Sequence, residues 1–300
     1  MKKVFVIGNG FDLDLGFRTR YSNFASCGQF WPFRPDDSGL AGFLNRKYET
    51  ERILDIESSL YDYAKPKPRV RSINNPDRMP VEADKEAYIK LTRHLNDYIK
   101  RIPYETRIVT DSIAAQVLGA VTNNGGYITY SFNYTDLGEI ADRLDINRLE
   151  YTHIHGSVND NSIILGIDAI NDVMDGYDFL YKVYDPQYRS NRLRHDLEEA
   201  EEVVIFGHSL GEVDYSYFQS FFRNLCREEN KAEDRKRVTI FTYDDSSRLS
   251  ILRQLRDMNE KKMQLMFNNN DFQIICTTQC DYRDKKLFEA FTSHLKATKL

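Results

Sequence analysis

Four short stretches of this sequence bring together residues able to do chemistry. The first, Gly8-Asn9-Gly10-Phe11-Asp12-Leu13-Asp14-Leu15-Gly16, follows the apolar run Val4–Ile7. Glycines at the end of a first strand let the backbone turn sharply and bring N–H groups against a phosphate at a helix start. Gly8, Asn9, Gly10, Phe11, Asp12 and Gly16 are therefore candidate nucleotide contacts. The spacing departs from the dinucleotide fingerprint, because Leu13 stands where its third glycine belongs, and no G-x-x-x-x-G-K-[ST] occurs. An acidic Asp12 in a phosphate loop repels the ligand unless it bonds a ribose hydroxyl or polarises water. The plainer alternative is a strand-to-helix turn with Asp12 as the cap.

The second stretch, Thr129–Asp136, reads as a strand running into a helix start. Its Asn133 emerges where open α/β sheets bind ligands and could hold a water or ribose hydroxyl, while Thr135 or Asp136 could cap the next helix. The third is His153-Ile154-His155-Gly156-Ser157. If this segment is extended, alternation sends His153 and His155 to one face. No third metal ligand stands at a familiar spacing, so no metal site is expected, and His155 beside Gly156 reads as a general base. The fourth, Gly207-His208-Ser209-Leu210-Gly211 with Asp214, follows Val203–Phe206. It matches G-x-S-x-G, the nucleophile elbow of serine hydrolases, and Asp244 or Asp245 with His294 would complete the order Ser…Asp…His. Against that reading, the elbow comes late and leaves the N-terminal glycine turn unexplained.

The elements that must position these residues are a series of apolar, β-branched runs: Val4–Ile7, Tyr127–Phe132, Ser162–Leu165, Glu202–Phe206 and Val238–Thr242, with Phe272–Cys276 at an edge. Helical patterns over Tyr104–Val121, Asp136–Leu144, Asp214–Cys226, Ser247–Met258 and Asp284–Leu295 alternate with them. The alternation predicts an α/β fold with a doubly wound parallel sheet, one domain over residues 1–300. Residues 35–102 interrupt it as a helical insertion, with helices over Leu40–Ala64 and Lys85–Ile102. Between these, Pro66, Pro68, Pro76 and Pro80 forbid a helix, and Lys65, Lys67, Arg69 and Arg71 make a basic flap over 65–80. That flap is a solvated linker or, alternatively, a phosphate-contacting lid.

Three hundred residues are enough for a hydrophobic core without disulfide or metal staples. A net charge of −5 argues against a general nucleic-acid or membrane-surface binder. No apolar run approaches a membrane span, and Met1-Lys2-Lys3 leads straight into the first strand, so the chain reads as cytoplasmic. The four cysteines form no C-x-x-C pair, which leaves free thiols as the simplest reading. A small-molecule nucleotide is the expected partner, and self-association is left open.

Taken together, Val6–Leu13 with Tyr21–Phe24, Ser131–Thr135, His153–Gly156 and Gly207–Asp214 resemble the AbiH family of bacterial phage-defence proteins. The order of motifs is also similar to that of sirtuins and sirtuin-like NAD hydrolases. There the resemblance matches Gly8, Gly10 and Gly16 to the dinucleotide loop and the Gly207–Leu210 segment to a second binding motif. It matches Asn133 and His155-Gly156 to the residues that act on the nicotinamide ribose. What this implies is a Rossmann-like, sirtuin-like fold and an effector that binds and hydrolyses NAD or a related nucleotide. Asn133 and His155 would be catalytic, and His153, His208, Ser209 and Asp214 would join the glycine turn in holding the ligand. Two departures stand out: Asp12 replaces the loop serine, and the sirtuin zinc cysteines are missing. A nucleotide sensor without turnover, a nucleic-acid-acting effector and a serine hydrolase using Ser209 are the alternatives.

Overall fold

The computed structural model describes residues 2–51, 55–66, 81–104, 108–147, 149–228, 230, 232–278 and 281–299. The chain divides into two compact units, one of Met1–Phe17, Pro103–Ile154 and Ser190–Leu300, the other of Arg18–Ile102 and His155–Arg189.

The first unit is built on six parallel strands: β1 Lys3–Ile7, β2 Tyr127–Ser131, β3 Tyr151–His153, β4 Glu202–Phe206, β5 Arg237–Thr242 and β6 Asp271–Cys276. Their order is β3-β2-β1-β4-β5-β6, the doubly wound arrangement of dinucleotide-binding folds. Every residue of β1 and β4 is buried, as expected of central strands covered by helices on a parallel sheet. Helices flank the sheet, and Val4 and Val6 of β1, Val203 and Ile205 of β4 and Val238 and Ile240 of β5 pack with Phe218, Phe221 and Phe222 into one core cluster. The register pairs Ile7 with both Ser131 and Phe206, so the neighbouring strands end level with one another. After β1 the chain completes β2 and β3 on one side, then returns to β4 on the other. The switch point thus falls between the carboxyl ends of β1 and β4.

Several sequence expectations shift. Ser162–Leu165 is not a strand: its Ile164 N–H closes a loop onto the His155 carbonyl at 2.8 Å, and the third strand is the short Tyr151–His153. The helix expected over Tyr104–Val121 is not continuous: residues 108–112 are not helical, and the Ser112 hydroxyl caps the helix Ile113–Asn124 by accepting from Ala115 N–H at 3.2 Å. A helix over Met263–Asn269 precedes β6 and was not expected.

The second unit replaces the insertion expected at 35–102 with a larger body that starts at Arg18 and recruits His155–Arg189. The helix expected over Leu40–Ala64 is two helices, Gly39–Glu51 and Ile56–Ala64, the second capped by Asp55 accepting from Ser58 N–H at 3.1 Å. With Val81–Lys100 they surround the buried Asp84, whose carboxylate accepts from Leu40 N–H at 2.7 Å, the Tyr63 hydroxyl at 2.8 Å and the Tyr177 hydroxyl at 2.6 Å. These bonds tie the two chain segments of the unit together and satisfy a group that burial alone would penalise. The basic flap lies largely outside the described residues, since 67–80 are not among them. Among the described residues no helix is long and apolar enough to cross a membrane.

Candidate functional site

At the switch point the turns after β1 and β4 meet backbone to backbone. Gly8 N–H donates to the Phe206 carbonyl at 2.9 Å and Gly10 N–H to the Gly207 carbonyl at 2.8 Å. A Cβ on Gly10 would stand 2.6 Å from the Gly207 Cα, and one on Gly207, at φ +66°, would stand 2.4 Å from the Phe11 nitrogen. The glycines are therefore required by the close approach of two chain turns rather than by an approaching phosphate. The N–H groups of Gly8 and Gly10, and that of Phe11 bonded to the Gly8 carbonyl at 2.9 Å, are already used. The Phe11 ring is fully buried, edge-on to Phe206, so it belongs to the core. Gly16, at φ +93°, ends the short helix Asn9–Asp14 on the surface. Of the expected loop contacts, only Asn9 and Gly16 are exposed.

Asp12 neither caps a helix nor faces solvent. It is 1% exposed, and its carboxyl accepts from the Asn133 amide at 2.7 Å and the Thr135 hydroxyl at 3.0 Å. Burial outweighs these donors and pushes its pKa up to about 7. Asn133, just beyond β2, gives its second amide hydrogen to the Gly8 carbonyl at 3.1 Å. The amide expected to hold a ribose hydroxyl instead clamps Asp12 to the glycine turn. Of the two residues able to cap the next helix, Thr135 instead bonds Asp12, and the cap is Asp136, which accepts from Glu139 N–H at 3.0 Å.

His153 ends β3 and donates from Nδ1 to the Asn133 carbonyl at 2.9 Å. A carbonyl only accepts, so the neutral ring keeps its lone pair on Nε2. The strand stops there, and the alternation expected to put His155 on the same face does not continue. His155 belongs to the second unit, where it is buried and its Nε2 lies 3.3 Å from the Lys182 ammonium, itself 3.1 Å from the Glu57 carboxylate. Gly156 does not make room for a ligand: a Cβ there would meet the Ser162 carbonyl oxygen at 1.7 Å.

His208 is buried against Phe132 and Phe218. Its Nδ1 accepts from Leu210 N–H at 3.0 Å, which leaves the proton on Nε2, 3.4 Å from the buried Asp214 carboxylate. The pair fixes the turn after β4, in which Leu210 adopts φ +53°. Ser209 projects outward from this turn and is exposed. One strand over, the Gly207 N–H bonds the Phe241 carbonyl at 2.9 Å, which sets the half-exposed Tyr243 at the neighbouring strand end. Tyr243 had no sequence signal beyond its place after a strand.

The serine triad is not assembled. The His294 Nε2 lies 3.1 Å from Glu202, the first residue of β4, whereas Ser209 lies beyond its last, roughly 16 Å away at about 3.3 Å per residue. Asp244 caps a helix through the Ser247 N–H and hydroxyl, each at 2.8 Å, and Asp245 pairs with Arg248 at 3.0 Å.

The sequence model of the family described as bacteriophage abortive infection AbiH matches residues 4–233, a span that takes in each of these motifs, and the chain belongs to that family. No curated protein matches the sequence.

Proposed function

From membership of a phage abortive-infection family, we propose that the protein is a defence effector that binds NAD or a related nucleotide at the carboxyl edge of its sheet and breaks the glycosidic bond. The observation that carries this reading is the strand order, which puts both glycine turns at the switch point where doubly wound sheets take nucleotides. The sirtuin-like succession of Gly8–Gly16, Asn133, His155-Gly156 and Gly207–Leu210 supports the choice of NAD.

In the reaction, water adds to the ribose C1′ and the bond to nicotinamide breaks with its electron pair leaving on the nicotinamide. The water's proton passes to a base. The resemblance implies His155 for that role, and its Nε2 lies against the Lys182 ammonium within the second unit. His153, in the same unit as Asn133, is the competing base because its tautomer already leaves Nε2 as the acceptor. Asn133 holds the carboxyl of Asp12, whose pKa near neutrality lets it relay a proton. Exposed Asn9 and Ser209 contact the phosphates or ribose, and Tyr243 offers a ring face to a base.

The test is to incubate purified protein with NAD and a panel of nucleotides and resolve products by mass spectrometry. Nicotinamide and ADP-ribose should accumulate, and loss of the true base should cut the rate by about a hundred- to ten-thousand-fold. Loss in His155→Ala with activity kept in His153→Ala assigns the base to His155, and the reverse assigns it to His153. A folded wild type that consumes no nucleotide on the panel overturns the reading.

A further inference from the structure

At the opposite, amino edge of the sheet the first unit holds a cavity of about 870 Å³, within the size range of small-molecule sites. Its walls come from the starts of four strands, with Lys3, Glu202, Arg237 and Asp271, and from His294 near the end of the helix Tyr282–Ala297. Lys236 and Arg235 line it beside them.

The charges in this cavity are unequally matched. Glu202 is buried and taken up by His294 at 3.1 Å, with Lys3 at 4.0 Å. Asp271 holds Arg237 at 2.8 Å. Lys236 donates only to the carbonyls of Glu198 at 3.0 Å and Ala200 at 2.5 Å, and Arg235 makes no ion pair among the described residues. Burial of Lys236 lowers its pKa, outweighing the opposing pull of the Glu201 and Asp234 carboxylates, neither of which lies within ion-pair distance of it among the described residues. Of the carboxylates near this wall, Glu201 is exposed and makes no ion pair among the described residues, Asp234 acts on Lys236 only from beyond ion-pair distance, and the carboxyl end of the helix adds negative character near His294 and Thr298. An incoming anion is thereby confined to the Arg235–Lys236 side.

We propose that this amino-edge cavity is a second ligand site, which takes a phosphate-bearing small molecule of up to mononucleotide size with its phosphate on Arg235 and Lys236. Phosphate accepts the forked guanidinium bonds and the point charge of a lysine together, and it would give Arg235 and Lys236 the ion-pair partner that neither has among the described residues. The site shares no residue with the carboxyl-edge motifs, so it stands or falls independently of NAD cleavage.

The test follows the His294 ring C–H resonance in histidine-labelled protein, identified by its absence in His294→Asn, as pyrophosphate is added at constant ionic strength. A saturable shift is expected, weakened about tenfold or more by the double substitution Arg235→Gln and Lys236→Gln, the effect of losing charge-assisted bonds. Unmoved resonances of the other histidines report that the variant is folded. The Ser209→Ala variant should leave the titration unchanged, which separates this site from the carboxyl edge. A shift that does not saturate, that chloride reproduces, or that survives the double substitution overturns the proposal.

Discussion

Two buried polar clusters in this molecule solve the same problem differently. In the first unit, Asp12 is enclosed by neutral donors, Asn133 and Thr135, and no cation lies within ion-pair distance among the described residues. In the second, Glu57 is met by the ammonium of Lys182, which also reaches His155. Neutral donors satisfy the oxygens of a carboxylate without cancelling its charge, so the Asp12 proton is held to about pH 7. An ammonium cancels the charge and makes the pair a structural lock that fails when one half is removed. The first arrangement suits a group that must change protonation near neutrality, and the second suits one that must not.

The largest effect should come from breaking the lock. Lys182→Met strands the Glu57 carboxylate in the interior and should lower stability by about 3–5 kcal/mol, whereas adding Glu57→Leu should restore most of it. Urea unfolding of the single and double variants measures this. A double variant as unstable as the single one would show that the ion pair is not the term that matters.

A smaller effect, of opposite logic, belongs to Asp12. Its folded pKa of about 7 lies above the ordinary 3.8, so between these values the folded state binds the proton more tightly than the unfolded state. Stability relative to Asp12→Asn should therefore fall as pH rises from about 4 to about 7 and level off above that. The whole change is at most on the order of 4 kcal/mol at about 1.4 kcal/mol per unit. Denaturant midpoints of the two proteins at pH 5 and pH 8 test the sign. A gap that stays constant across this range would mean that Asp12 does not titrate there.

The sheet was legible because its strands are buried apolar runs with a period of their own. The expected edge strand at Phe272–Cys276 lies at the edge, as Asp271–Cys276. Tyr151–His153 carries too little pattern in three residues to read as a strand, whereas Ser162–Leu165, an apolar run packed inside a loop, has the composition of one. The site was legible as a set of motifs but not as contacts. Gly8 and Gly10 read as a phosphate-binding turn because glycine signals close approach without saying what approaches, and here it is Gly207 of the other turn. Nothing in the spacing of Asp12 and Asn133, 121 positions apart, announces that one clamps the other. The partner of His155 is hidden in the same way, since Lys182 opens a single 3-10 turn, Lys182–Tyr184, with no motif around it.

The smallest expected change in stability separates fold from function at the carboxyl edge. Asp12, Asn133, His208 and Asp214 are buried and bonded, so any substitution there mixes loss of structure with loss of activity. Ser209 is different, because its side chain is exposed on a turn held by neighbours rather than by itself. Ser209→Ala should leave stability within about 0.5 kcal/mol of wild type, as for surface positions free of special geometry. If the hydroxyl bonds a bound nucleotide, the same substitution should weaken binding by about five- to tenfold, the usual worth of one hydrogen bond. Calorimetric titration with NAD beside a melting curve reads both quantities from one protein. Unchanged affinity in a variant of unchanged stability would remove the turn after β4 from the ligand's path. The glycine contact between the two turns would then be a device of the fold alone.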